Sequence, residues 1–222
     1  MIKCCIFDLD GTLLDTLPTI KYHLNNTLTA YGLPVASDED TKIYIGDGAY
    51  QLIYRAFTAR GVSDPEVIAK ALAEYKAAYD ASPYYLTTVY DGIEEMLDRL
   101  SAAGVTLAVL SNKPDLAAGL VVRNFLPDRF TLVRGGRDGV ALKPDPAAAL
   151  DMLAELGFSP DECAFVGDTS VDITTGKNMG ASLSVGVLWG FRDRAELATA
   201  GADIIVENAC DILAAVGVSA DE

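Results

Sequence analysis

Histidine is almost missing from this 222-residue chain; His23 is the only one. The four cysteines, Cys4, Cys5, Cys163 and Cys210, form no CxxC pair and no Cys/His ligand spacing. Together these shortages exclude the usual zinc-binding patterns, and the cysteines read as reduced thiols of a reducing compartment. No apolar run approaches the roughly 18 to 20 residues that a membrane-spanning helix needs. The short apolar run at residues 2–7 meets Asp8 too early for a signal peptide, so a cytoplasmic protein is expected. Basic residues are scarce too: 17 Lys and Arg stand against 32 Asp and Glu, a formal charge of −15. Such a surface repels nucleic acid and anionic lipid, and offers an anionic substrate no long-range steering. Any anion bound here must be held locally, by a cation and a few aimed lysines. Internal repeats and low-complexity segments are absent as well.

What is present is ordinary for a globular protein, with half of the residues hydrophobic. Short, nearly continuous apolar runs at residues 2–7, 106–110, 130–133, 164–166, 183–187 and 203–206 suit strands buried on both faces of a parallel sheet. Amphipathic stretches at 93–103, 115–125, 147–156 and 170–179 alternate with them. Asp91 and Glu94 are spaced as a capping box for the first of these helices. The rhythm predicts an α/β fold with a doubly wound parallel sheet. It breaks at residues 16–82, where no strand pattern occurs. Ile20, Leu24, Leu28 and Tyr31 make one helical stripe there; Ala71, Leu72, Tyr75, Ala78 and Tyr79 make another. This region is expected to be a small all-helical cap inserted after the first strand, with hinges near Asp15-Thr16 and Ser82-Pro83. The α/β catalytic core is then residues 1–15 and 83–222. Residues 218–222 are expected to be disordered.

In an open parallel sheet, ligands bind outside the carboxyl ends of the strands. Four such ends carry polar clusters. They are Asp8-Leu9-Asp10-Gly11-Thr12, Ser111-Asn112-Lys113-Pro114, Lys143-Pro144-Asp145-Pro146 and Gly167-Asp168-Thr169-Ser170-Val171-Asp172. Each alone is explained by a turn or a helix start. Jointly they crowd four carboxylates, a hydroxyl, an amide and a lysine onto one sheet edge. Like charges gathered there repel. A hard divalent cation resolves the conflict, and Mg²⁺ takes oxygen ligands while bridging to substrate phosphate. Ser111, Asn112 and Lys143 then supply the local attraction that the net charge denies.

This set of motifs resembles the haloacid dehalogenase superfamily of phosphatases over nearly the whole chain. The nucleophile motif stands at Asp8–Thr12, the second motif at Ser111, the third at Lys143, and the fourth at Gly167-Asp168 with Asp172. The helical insertion looks like that superfamily's type-one cap. Ile45-Gly46-Asp47-Gly48, Ser111-Asn112-Lys113-Pro114 and Gly186-Val187-Leu188-Trp189-Gly190-Phe191 are similar to features of phosphoglycolate phosphatases and their close relatives. The resemblance implies a phosphoric monoester hydrolase working through an aspartyl-phosphate on a small phosphorylated metabolite. Asp8 is then the nucleophile and Asp10 the general acid and base. Gly11, Thr12, Ser111, Asn112 and Lys143 hold the phosphate. Mg²⁺ is bound by Asp8, the Asp10 carbonyl and Asp168, with Asp172 behind them. Within the cap, His23, Gly46, Gly48 and Arg55 are candidates for substrate specificity, along with Lys21 and Lys42; His23 also suits a packing role. Pyrophosphate, a nucleoside monophosphate or a sugar phosphate are alternative substrates, and a phosphomutase or a non-catalytic module are alternative uses of the scaffold.

Overall fold

A computed structural model describes residues 1–219, and among them no helix is long and apolar enough to cross a membrane. The elements in chain order begin with β1 (Cys4–Phe7), the two-residue β2 (Leu14–Asp15), α1 (Leu17–Ala30), α2 (Asp38–Tyr44), α3 (Gly48–Thr58) and α4 (Pro65–Ala81). Then come β3 (Thr88–Val89), α5 (Ile93–Ala102), β4 (Thr106–Pro114), α6 (Asp115–Phe125), β5 (Leu132–Gly136) and α7 (Ala147–Leu156). The chain continues through β6 (Cys163–Gly167), α8 (Ser170–Met179), β7 (Leu183–Val187), α9 (Arg194–Thr199), β8 (Ile204–Val206) and α10 (Asp211–Ala215). Contacts divide it into two units, Met1–Asp15 with Thr88–Glu222, and Thr16–Thr87.

In the first unit six strands form one parallel sheet in the order β5-β4-β1-β6-β7-β8. Alternation along the strands fills both faces. Cys5, Phe7, Val109 and Val166 face one core with Ile93 and Leu97 of α5 and Val121 of α6. Cys4, Ile6, Ala108 and Phe165 face the other with Met152 and Leu153 of α7. Burial on both sides explains why these strands read as unbroken apolar runs. The chain leaves β1 for β4 and β5, then returns to β6 on β1's other side. The carboxyl ends of β1, β4 and β6 therefore flank the topological switch point where ligands enter such sheets.

Two local expectations need correcting. Helix α5 starts after Gly92, whose backbone is left-handed, and no side chain caps it, so Asp91 and Glu94 form no capping box. Ser111 to Pro114, expected as a turn, continue β4 with an irregular register, because Pro114 still pairs with Gly136 at the end of β5. The expectation of disorder at residues 218–222 concerns mostly 220–222, which lie outside the described residues.

The second unit is all helical. Its α1 stripe of Ile20, Leu24 and Leu28 is buried, as are Ala71, Tyr75 and Tyr79 of α4, whereas Ala78 is exposed. The unit extends past Ser82 to Thr87 because the Thr19 hydroxyl bonds both the Tyr85 carbonyl and the Thr87 hydroxyl.

Candidate active site

All four polar clusters expected at strand ends belong to the α/β unit, and the sheet order brings them together. Asp8 follows β1, its amide donating to the Val166 carbonyl of β6 at 2.9 Å. Asp168 follows β6, and Asp172 lies in the first turn of α8. One carboxylate oxygen from each of Asp8, Asp168 and Asp172 lies within 4.8 Å of the others, and all three residues are buried. Lys143, after β5, sends its ammonium between two of them: Nζ is 2.7 Å from Asp172 Oδ1 and 2.8 Å from Asp8 Oδ1. The Asp172 contact is a directed hydrogen bond. The Asp8 contact is a close ion pair off the hydrogen-bond direction, which leaves Oδ1 with no aligned donor.

Three buried carboxylates face one ammonium, and the imbalance shows in their protonation. Burial first, then the Asp172 charge, push Asp8 up to about 7 against the opposing pull of Lys143. Burial, Asp172 and Asp8 likewise hold Asp168 well above the usual carboxylate range. Burial alone lowers the pKa of Lys143, yet Asp172 and Asp8 outweigh it and raise it above the ordinary lysine value. Buried anions that neutralise in this way lack a compensating cation. The donor set, carboxylate oxygen only, suits a hard ion such as Mg²⁺.

Neighbouring loops fix each member. Asp168 accepts from Thr12 Oγ1 at 2.9 Å and from the Phe191 amide at 2.8 Å. A Cβ on Gly11 would overlap the Asp168 carboxylate and come within 2.7 Å of the Phe191 ring; one on Gly190 would collide with Asp168 and the Gly11 carbonyl. Both positions therefore admit only glycine. Trp189 Nε1 donates to the Thr12 carbonyl at 2.9 Å, so the segment after β7 braces the loop that follows β1 and Asp168 together. Asp172 Oδ2 accepts from the Thr169 amide and hydroxyl, which leaves both of its oxygens engaged. The Asn112 side chain clasps the Lys143 peptide, donating to its carbonyl at 3.0 Å and accepting from its amide at 2.9 Å. Ser111 is buried and accepts from the Lys113 amide at 3.3 Å. The Thr12 hydroxyl and the Asn112 side chain are thus engaged within the protein, by Asp168 and by the Lys143 main chain.

Sequence reasoning missed Lys113. Its ammonium bonds both oxygens of Asp10, at 2.9 and 3.1 Å, and its side chain is almost completely buried. Its place at the end of the buried strand β4, just after Leu107–Leu110 and Ser111-Asn112, was a signal of burial though not of its partner, since a buried lysine requires some anionic neighbour. The Asp10 carboxylate thus stands on Lys113, apart from the cluster of three.

The expected specificity residues all lie in the helical unit. His23 is buried, with Nε2 at 3.2 Å from the Ser82 carbonyl and its ring against Tyr22 and Tyr79. Arg55 pairs with Asp47 and donates to the Tyr44 carbonyl, and Lys21 pairs with Asp38. Gly46 and Gly48, both at positive φ, flank Asp47 at the start of α3.

Comparison with known proteins gives a consistent neighbourhood. The family model described as haloacid dehalogenase-like hydrolase matches residues 5–185. A phosphoglycolate phosphatase of Pectobacterium atrosepticum is 33% identical over 98% of this chain and 94% of its own. One from Rhodospirillum rubrum is 36% identical over 83% of this chain and 79% of its own. A crystal structure described as a predicted phosphoglycolate phosphatase from Haemophilus somnus superposes with a TM-score of 0.89 at 29% identity, over 96% of this chain and 97% of that one.

Proposed function

The chain belongs to the haloacid dehalogenase-like hydrolase family, and from that premise we propose that it is a magnesium-dependent phosphatase whose substrate is phosphoglycolate. The observation that carries the reaction class is the trio Asp8, Asp168 and Asp172 around Lys143 at the switch point. The names of the relatives at 33% and 36% identity carry the substrate. The four free cysteines fit a cytoplasmic location.

Asp8 is the nucleophile. A carboxylate oxygen of Asp8 bonds to phosphorus as the phosphorus–oxygen bond to the substrate breaks, and the electron pair leaves on the alkoxide oxygen. Asp10 gives that oxygen its proton. Water then attacks phosphorus, the bond to Asp8 breaks, and Asp10 takes the water's proton, releasing inorganic phosphate. Lys143 and Ser111 hold the peripheral phosphate oxygens, and positioning with charge neutralisation dominates such transfers. Asp8, the Asp10 carbonyl and Asp168 would hold Mg²⁺. When bound, the ion supplies the positive charge that keeps the buried carboxylates ionised and attracts phosphate oxygens. Asp172 belongs behind the ion, because Lys143 and Thr169 already engage both of its oxygens. The helical unit Thr16–Thr87 is the proposed cap and the seat of substrate selectivity.

The test is phosphate release with Mg²⁺ over phosphoglycolate, pyrophosphate, a nucleoside monophosphate and a sugar phosphate. Phosphoglycolate should give the highest kcat/KM. Asp8→Asn should lower the rate by on the order of 10⁴-fold or more with an unchanged circular dichroism spectrum. A different best substrate would replace phosphoglycolate; absence of magnesium-dependent release from every compound would overturn the reaction class.

A further inference from the structure

Two lysines are buried at the sheet edge, and they pair with different carboxylates. Lys143 serves Asp8 and Asp172; Lys113 serves Asp10. We propose that Lys113 is a positioning residue for the second half of the reaction, fixing the Asp10 carboxylate where it receives the proton of the attacking water. This rests on the phosphatase reading given above.

The geometry favours that half. Both Asp10 oxygens accept hydrogen bonds from Lys113 Nζ, at 2.9 and 3.1 Å. A carboxylate held this way is an acceptor only, and an acceptor is what the incoming water needs. Asp10 is also fixed from its backbone side, through a bridge to Leu14 and the Gly11 amide donating to the Leu14 carbonyl at 2.9 Å. Lys113 reaches it from β4, the strand next to β1. A flexible four-carbon stem buried to 3% exposure of its side chain loses rotamer freedom and hydration. A surface ion pair would avoid most of the desolvation, so the burial is intelligible if Asp10 has to be held in one place. In the step concerned, the water oxygen bonds to phosphorus and one water proton moves to Asp10. The phosphorus–oxygen bond to Asp8 breaks, its electron pair returning to the Asp8 carboxylate. No further reactant is required.

Rapid-quench kinetics of Lys113→Met with p-nitrophenyl phosphate test this, because that leaving group needs no proton and the first half proceeds without help. The variant should release a burst of about one p-nitrophenol per enzyme. Steady turnover should then be slowed by about ten- to a hundredfold, a part of what acid–base help supplies, with KM unchanged or lower. Lys113→Arg should recover most of the rate, and Asp10→Asn with Lys113→Met should be no slower than Asp10→Asn alone. A raised KM without a burst would make Lys113 a substrate ligand and overturn the proposal, as would unchanged kinetics or additive losses. Should Lys113→Met not fold, Lys113→Gln carries the same measurements. An active wild type with an unaffected variant removes only this inference; a wild type inert toward every phosphate ester removes the phosphatase reading and this inference with it.

Discussion

The two units of this protein bury opposite kinds of polarity. Every buried Asp or Lys among the described residues, namely Asp8, Lys113, Lys143, Asp168 and Asp172, belongs to the α/β unit. The helical unit buries only threonines and His23 as polar side chains. It exposes large apolar groups instead, including Tyr22, Tyr50, Tyr54, Tyr84, Tyr85 and Leu86. Buried charge is costly unless it is paired or meets a ligand, so its concentration at one sheet edge singles out the candidate site. Helical packing around threonines and tyrosines carries no comparable mark.

The largest effect that can break this contrast is on stability and rate together. Lys143→Met should leave Asp8 and Asp172 without their shared cation. Breaking a buried pair from one side costs about 3 kcal/mol or more, and phosphate binding should fail with it. The matching change in the helical unit, His23→Phe, removes one hydrogen bond to the Ser82 carbonyl, worth about 1 kcal/mol. Urea unfolding of both variants decides the matter. Equal losses would show that the buried charges of the α/β unit are no more critical than ordinary packing in the other.

The same contrast explains what could be read in advance. Strand ends are legible because an apolar run must stop where a carboxylate begins, as at Phe7-Asp8 and Gly167-Asp168, and the parallel topology then dictates that these ends meet. Helices α6, α7 and α8 run from Asp115, Ala147 and Ser170 as their amphipathic patterns indicate. Lys113 was not legible as a partner of Asp10, because their pairing depends on the irregular end of β4, which local pattern does not encode. The side-chain partners of Asn112 and Thr12 within the protein were not legible either, since sequence shows a polar group without showing which neighbour claims it. In the helical unit the stripes located α1 and α4, but no residue type there announced a ligand.

A second, smaller effect concerns pH. Burial and then the Asp172 charge hold Asp8 up to about 7 from the ordinary 3.8. Between these values the folded, metal-free protein keeps a proton that the unfolded chain has lost. Its contribution to stability is full below 3.8 and is lost as pH rises toward 7. A cation needs the ionised form and must displace that proton. Mg²⁺ affinity, measured by calorimetry, should therefore rise with pH up to about 7, by as much as about tenfold per unit where one proton is released. Raising the pH should weaken the metal-free protein while strengthening its magnesium complex. A pH-independent affinity over that range would mean that the carboxylates are already ionised before the cation binds.

The smallest effect is the one that bears on the helical unit. Arg55 spends one nitrogen on the Tyr44 carbonyl and another on Asp47, between Gly46 and Gly48, and its side chain remains about one-third exposed at 35%. An exposed pair of this kind adds about 0.2 to 1 kcal/mol, so Arg55→Ala should barely change the unfolding midpoint. If Arg55 reads the substrate's carboxylate, the same variant should raise KM for phosphoglycolate by roughly three- to tenfold with kcat kept, the signature of lost uniform binding. It should leave p-nitrophenyl phosphate, which has no carboxylate, unaffected. Equal changes for both substrates would remove Arg55 from recognition and reduce it to a clasp on the Asp47 turn. That result would sharpen the contrast: recognition of the carboxylate would then fall to Lys21, Lys42 or neutral and main-chain groups of residues 16–87, none of which carries the mark of buried charge that singles out the sheet edge.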